Sequence, residues 1–205
     1  MAIRWDICGS RDYSRGQTRN ENHRFFLEEP SAKEMLEGLL PRVLPPQAQI
    51  RYLIYSGKQD LEKNLGRKLR GWRLPDSVFV VMRDQDSSDC HVVKQRLVAL
   101  CTQATKGEAL VRVACHEMES FYLGDLAAVE KGLNLNGLSA KQNNRKYRNP
   151  DNLGNPSEEL VKITKGEYQK ISGSRAIGPH LDLTNNQSHS FNVLVTGLRR
   201  LAETT

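Results

Sequence analysis

Residues 78–89 read Val78-Phe79-Val80-Val81-Met82-Arg83-Asp84-Gln85-Asp86-Ser87-Ser88-Asp89. An unbroken apolar run of this kind predicts a strand covered on both faces, because a half-exposed strand would alternate. The run stops at an Asp-x-Asp step. Ser88 or Asp89 is placed to cap a helix running to about Gln103, with Val92, Val93, Leu97 and Leu100 facing inward.

The same unit recurs on either side. Upstream, Arg24-Phe25-Phe26-Leu27 ends at Glu28-Glu29. A helical pattern follows, with Met35, Leu36, Leu39 and Leu40 on one face. Ser31 and Glu34 have the spacing of a capping box, and Pro41, Pro45 and Pro46 end the pattern. Ile50–Tyr55 is a second β-rich run, followed by a basic amphipathic helix over Asp60–Arg70 with Leu61, Leu65 and Leu69 inward. Downstream, Val111–Cys115 ends at His116-Glu117, and a helix carrying Met118, Phe121, Tyr122 and Leu123 follows. Four β-runs alternating with helices imply right-handed βαβ crossovers. The expected class is α/β, with a mainly parallel open sheet flanked by helices and a mixed loop and helical C-terminal part.

The texture changes after Gly132. Residues 134–156 are rich in Asn, Gly, Lys and Arg and predict a long irregular insert. Residues 157–171 predict one helix, and Ser190–Ala202 a closing amphipathic helix with Phe191, Leu194, Val195, Leu198 and Leu201 on its apolar face. The chain divides into an irregular extension over 1–22, with at most a short strand over Ala2–Ile7, an α/β core over 23–132, and a basic loop with C-terminal helices packed on the core over 133–205.

Composition narrows the function classes. The chain has 205 residues, 38% of them hydrophobic and 26% charged. A chain of this length buries roughly 70% of its extended surface without a disulfide or metal staple. The formal net charge of +6 favours an anionic partner. Cys8, Cys90, Cys101 and Cys115 make no CxxC pair, which excludes a zinc knuckle and points to a reducing compartment. No apolar stretch approaches the roughly 20 residues that cross a bilayer, and the N-terminus lacks the apolar region of a secretory signal. A cytoplasmic protein with no membrane partner is therefore expected. A homodimer is compatible with the chain.

The acids fall in an informative place. Glu28 follows the first β-run, Asp84 and Asp86 the third, and Glu117 with Glu119 the fourth. Ligands of open α/β sheets bind at the carboxyl ends of the strands, so these carboxylates are expected to converge on one rim. Uncompensated, they would repel and raise one another's pKa. A divalent cation or basic partners would hold them, and an all-oxygen set suits Mg²⁺ or Mn²⁺ and not zinc. On a continuing strand Asp84 and Asp86 would share a face; alternatively they start a turn and cap the next helix. Glu28, Glu117 and Glu119 have the corresponding reading as acids in the first turns of helices. An EF-hand is excluded by spacing. A metalloprotease is excluded too, because His116-Glu117-Met118-Glu119-Ser120 lacks the second histidine of HExxH.

A basic track for a nucleic-acid backbone is available. Lys63, Arg67, Lys68 and Arg70 lie on the second helix, and Lys141, Arg145, Lys146 and Arg148 lie in the loop, where Tyr147 is placed to stack on a base.

At these residues the chain resembles a TOPRIM-type (topoisomerase–primase) domain, which carries a Glu after strand one and a DxD after strand three. More narrowly, it resembles a bacterial family of small TOPRIM-like proteins, the domain-of-unknown-function family DUF4276. The resemblance rests on LEEPSAKEMLEGLLPRVLP, MRDQDSSDCHVVKQRL, VRVACHEMESFYLGDLAAV and RNPDNLGNPSEELVKITKGEYQKISGSRAI, and spans about residues 24–200. It departs at Glu29, where the family usually has Gly, and in the twenty or so residues that precede the first strand. Nucleases of the overcoming-lysogenization-defect type use this fold to cleave phosphodiesters with divalent metal. The resemblance therefore implies a metal-dependent nuclease acting on DNA or RNA. Glu28, Asp84 and Asp86 would be metal ligands, and Glu117 and Glu119 would complete a second site, Glu117 alternatively acting as general base. Lys170, with Arg175 behind it, would face the phosphate. Some relatives sit beside an ABC-like ATPase in anti-phage defence loci, which implies an effector role with that partner. Two other classes remain: a catalytically inactive module that binds a partner protein or nucleic acid, and a phosphatase-like use of DxD. The second ranks last because the nucleophilic Asp of that class ends the first strand.

Overall fold

The computed structural model describes residues 22–104 and 108–203. The expected strand over Ala2–Ile7 and nearly all of the 1–22 extension lie outside the described residues.

The sheet has four strands, β1 (Asn22–Leu27), β2 (Gln49–Ile54), β3 (Ser77–Asp84) and β4 (Leu110–Ala114), in the order β2-β1-β3-β4. Every pairing is parallel. Leu27 lies opposite both Ile54 and Met82, and Asp84 opposite Ala114. The central strands β1 and β3 are buried on both faces, which is why their sequences are continuous apolar runs. Phe25, Leu27, Val80, Met82 and Ala114 point into one core, shared with α1 (Pro30–Leu39), α5 (Leu126–Gly132) and α8 (His189–Glu203). Phe26, Phe79, Val81 and Val111 point into the other, shared with α2 (Lys58–Arg70) and α3 (Cys90–Gln103). Each fully buried Phe or Leu contributes about 1.5–3 kcal/mol.

Chain direction places a crevice. From β1 the chain crosses through α1 to β2 on one side. From β2 it crosses back through α2 to β3 on the other. Crossovers of one hand that run in opposite directions must use opposite faces of the sheet. The loops after β1 and β3 therefore diverge, and the switch point lies between these two neighbours at their carboxyl ends. The expected α/β class is what the fold shows, and it is consistent with a TOPRIM-like arrangement.

Several local expectations change. Instead of one helix over 157–171 there are two, α6 (Pro156–Ile163) and α7 (Lys170–Ile177). A Schellman closure ends the first. Lys165 takes a positive φ of 55°, its N–H bonds to Lys162 O at 3.2 Å, and Gly166 N–H bonds to Val161 O at 2.9 Å. The capping box does not form. Pro30 is the first helical residue, Ser31 donates instead to the Glu29 carboxylate, and Glu34 pairs with Arg175. On α3 the buried positions are Val93, Leu97 and Cys101, while Val92 is 52% exposed. The insert contains three short 3-10 turns, pinned by buried Leu138 and Tyr147. Gln142 donates from Nε2 to Leu123 O and Tyr147 O and accepts from Leu126 N–H, fixing the insert to the core. Among the described residues no helix is long and apolar enough to cross a membrane.

Candidate functional site

The acids gather at the switch point, though not in the set the spacing suggests. Asp84 is the last residue of β3 and is 8% exposed. Strand alternation turns it toward the α1 and α7 side and turns Arg83 toward α2. Its backbone N–H donates to Glu28 Oε2 at 3.0 Å, across the β1–β3 junction. Among the described residues its carboxylate accepts no hydrogen bond. The next residue in the chain after Glu28, Glu29, reaches the same place, and its Oε2 accepts from Lys170 Nζ at 2.6 Å. Glu119 opens α4 (Glu119–Leu123) and is completely buried. Its Oε1 accepts from the Tyr168 hydroxyl at 2.9 Å, while its Oε2 is buried with no hydrogen-bond partner.

These groups perturb one another in a consistent direction. Burial pushes the Asp84 carboxyl well above the ordinary range, and the charges of Glu29, Glu119 and Glu28 push it further, against Lys170. Burial raises Glu119, opposed by Lys170 and the Tyr168 hydroxyl. Burial also raises Glu28, opposed by the Asp84 N–H and by Arg83. For Lys170, burial works against the ammonium, but the hydrogen bond to Glu29 and the charges of Glu119, Glu29 and Asp84 outweigh it. The ammonium is therefore held firmly protonated.

Asp86 and Glu117 go elsewhere. β3 ends at Asp84, and Asp86 adopts a left-handed φ of 56°, which breaks the strand alternation that would have kept both aspartates on one face. Asp86 Oδ2 instead meets Lys58 Nζ at 2.9 Å and Arg83 Nη2 at 3.3 Å. Arg83, 3% exposed, also meets Glu62 at 2.6 Å and lies 3.7 Å from Glu28. Glu117 Oε2 accepts from the Ser157 N–H at 2.8 Å in the first turn of α6, where an anion satisfies an orphan donor.

The basic residues divide similarly. Lys141, Arg145 and Arg148 are exposed, Arg148 donating from Nε to Asn143 O. Lys146 pairs with Glu159, and Tyr147 donates to the same carboxylate at 2.6 Å. Tyr147 is 5% exposed, so its ring is core and is not presented for stacking. Arg175 Nε donates to Glu34 at 2.6 Å.

The acids of the rim are all oxygen donors. Asp84, Glu119 and Glu29 offer only oxygen, and the Glu119 Oε2 is open. Among the described residues, however, no three His, Cys, Asp or Glu side chains are arranged to hold a metal ion. Lys170 supplies the counter-charge. Spacing in the sequence did not reveal Glu29 and Tyr168 as parts of this site. Glu29 carried one local signal, its position beside Glu28 at a strand end. Tyr168 carried none, because it reads as an apolar helix position.

The chain belongs to the family described as a domain of unknown function, DUF4276, which matches residues 27–199 and so includes Glu28, Glu29, Asp84, Glu119 and Lys170. No curated protein and no solved structure matches the chain significantly.

Proposed function

We propose that this chain is a divalent-metal-dependent nuclease that hydrolyses nucleic-acid phosphodiesters at the β1–β3 switch point. The observation that carries the reading is the pair of buried acids, Asp84 and Glu119. Burial raises the proton affinity of both, and one Glu119 oxygen lacks any partner. Buried carboxylates that nothing in the fold satisfies are costly, and perturbed acids in a crevice mark functional sites.

Asp84 and Glu119, with Glu28 or Glu29 beside them, would be the oxygen donors for Mg²⁺ or Mn²⁺, and in the arrangement described they are not yet gathered around one ion. When bound, the ion supplies an activated water and a counter-charge for the leaving oxygen. The chain's own residues do the rest. Asp84 holds Glu28 in register through its N–H. Tyr168 fixes the Glu119 carboxylate from one side and leaves its other oxygen open. Lys170 presents a permanent positive charge to a phosphate. Lys141, Arg145 and Arg148 offer exposed cations to the backbone of the substrate, which is consistent with the net charge of +6. The family resemblance extends the reading to an anti-phage effector working beside an ABC-like ATPase. The test is cleavage of plasmid DNA and of single-stranded RNA with Mn²⁺ by the wild-type chain and by Asp84→Ala. Cleavage lost in the variant supports the reading; cleavage retained contradicts it.

A second reading has its own observation. Arg83 already compensates Glu28, Glu62 and Asp86, and Lys170 compensates Glu29. A non-catalytic module with a structural acidic rim would look like this at those four acids. It predicts no cleavage with any metal and retained binding to a protein or nucleic-acid partner.

A further inference from the structure

Trp72 and the arginines around it take no part in the acidic rim. Arg24 on β1 and Arg51 on β2 are direct register partners. Adjacent strands lie about 4.8 Å apart, so two guanidinium side chains leave the sheet side by side. Both point to the α2 side, as Phe26 and Leu53 do two residues further along. Like charges directly opposite each other destabilise a sheet. The Trp72 ring meets both, at 5.5 Å from the Arg24 guanidinium carbon and 5.8 Å from that of Arg51. Attraction to the ring replaces part of what a carboxylate would supply. The indole is itself fixed, its Nε1 donating to the Ser77 hydroxyl at 3.0 Å and its ring packed against Phe26 and Phe79.

No acid completes this group. Arg24 is 5% exposed. Its Nη atoms donate to the carbonyls of His23 and Gln49 and to Asn22 Oδ1, and its Nε is buried without a partner. Burial, and then the charge of Arg51, works against its cation. Arg67, Arg70 and Arg73 carry the positive charge through the last turn of α2 into the loop that follows, all three exposed. Among the described residues none of these five arginines forms an ion pair with a carboxylate, whereas Arg83, Arg96 and Arg175 all do. Asp76, exposed near the start of β3, pairs with none of them. The negative end of the α2 dipole favours Arg67 and Arg70, but it gives no reason for two arginines opposed on the adjoining strands.

The patch lies far from the rim. Helix α2 starts with Lys58, which meets Asp86, and Arg70 stands about 18 Å further along the helix axis. The cations repeat, Arg24 and Arg51 one strand apart and Arg67 and Arg70 about 4.5 Å apart in rise. Repetition suits a polymer of phosphates better than one isolated anion, and the guanidinium fork matches phosphate oxygens. We propose that Arg24, Arg51, Arg67, Arg70 and Arg73 around Trp72 form a second anion site, at the amino ends of β1 and β2, that takes successive phosphates of a nucleic-acid backbone. The site needs no metal. It stands whether the rim is catalytic or structural, and it adds a surface separate from the rim and from the cations of the 134–156 insert.

The experiment is fluorescence anisotropy of a labelled single-stranded oligothymidylate with the full chain, in EDTA, over a series of NaCl concentrations. Wild type is compared with the triple variant Arg51→Gln, Arg70→Gln, Arg73→Gln. A charge-matched control carries Lys94→Gln, Lys131→Gln and Arg199→Gln, three exposed cations elsewhere. Each phosphate contact on a single strand contributes about 0.7 to the slope of log affinity against log salt, so the patch variant should lose about two units and the control close to none. Equal slopes in the patch variant and wild type, or equal losses in the two variants, overturn the proposal. A second measurement needs no variant: phenylglyoxal modification of arginines in the wild-type chain with and without oligonucleotide, read by peptide mass spectrometry. Several-fold protection of Arg51 and Arg73, with Arg199 unprotected, supports the site, and no protection at saturating oligonucleotide refutes it. Sedimentation with phosphatidylserine vesicles that the patch variant abolishes, while its oligonucleotide binding stays at the wild-type level, assigns the patch to a lipid surface and overturns the proposal.

Discussion

Replacing Arg83 by Met removes the centre of the ion-pair cluster on the α2 side of the switch point. The guanidinium is 3% exposed and meets Glu62 at 2.6 Å and Asp86 at 3.3 Å, with Glu28 at 3.7 Å and the Asp84 carbonyl at 2.8 Å. Removing one partner of a buried pair costs about 3–5 kcal/mol, because the remaining charge is left uncompensated. Here the acids are partly wet, their side chains being 14%, 21% and 35% exposed for Glu28, Glu62 and Asp86. Lys58 and Arg96 also remain to face Asp86 and Glu62. The expected loss therefore sits at the lower edge, about 3 kcal/mol. At this chain length that corresponds to a melting temperature lower by about 6–12 °C. Arg96→Met is the control: Arg96 is 62% exposed, and losing its surface pair should cost at most about 1 kcal/mol. Urea unfolding followed by circular dichroism measures both variants. A loss under about 1 kcal/mol for Arg83→Met would refute the claim that Asp86 and Glu62 are held by a buried cation.

Three further expectations follow, two from the rim and one from the basic loop. Folded Asp84 keeps its proton to higher pH than the unfolded chain, whose carboxyl titrates near about 4. Stability therefore falls as pH rises through the window between the unfolded and the raised folded values. Asp84→Asn should melt above wild type at pH 8 and match it below about pH 4; equal melting at pH 8 would contradict the burial cause. Tyr168→Phe leaves neither Glu119 oxygen partnered and should cost about 1–3 kcal/mol in denaturant unfolding, and an unchanged midpoint would show that the bond contributes nothing. Joint replacement of Lys141, Arg145 and Arg148 by Ala should lower the salt dependence of nucleic-acid binding by about one unit of slope per lost phosphate contact. It should change stability by no more than about 0.5 kcal/mol, and an unaltered slope would remove the loop from the binding surface.

The parallel sheet was legible because four β-rich runs alternate with helical patterns, the two central ones nearly continuous in apolar residues, and each of the four runs became a strand. The site was legible in part. Asp84, Glu28 and Glu119 could be placed because strand ends and helix starts fix where a residue lies. Asp86 could not be placed, because the positive φ that sends it to Lys58 is a property of the turn and leaves no mark in the Asp-x-Asp spacing. Glu117 is a candidate by its place at the end of the fourth β-run and Tyr147 by its place among the basic residues of the loop, and neither position reveals the partner that holds the side chain. Their partners, the Ser157 N–H and Glu159, come from forty and twelve residues away in the chain. The break between α6 and α7 had a local signal in Lys165-Gly166, outweighed in the reading by the apolar periodicity on either side. That break brings Tyr168 and Lys170 to the rim.

A crystal soaked in Mn²⁺ and recorded at the manganese absorption edge tests the central claim most directly. An anomalous peak about 2.1 Å from carboxylate oxygens of both Asp84 and Glu119, the distance expected of a small hard divalent ion, is the predicted result. A map with no peak at those two side chains, at a concentration where wild-type chain cleaves nucleic acid, would contradict the account.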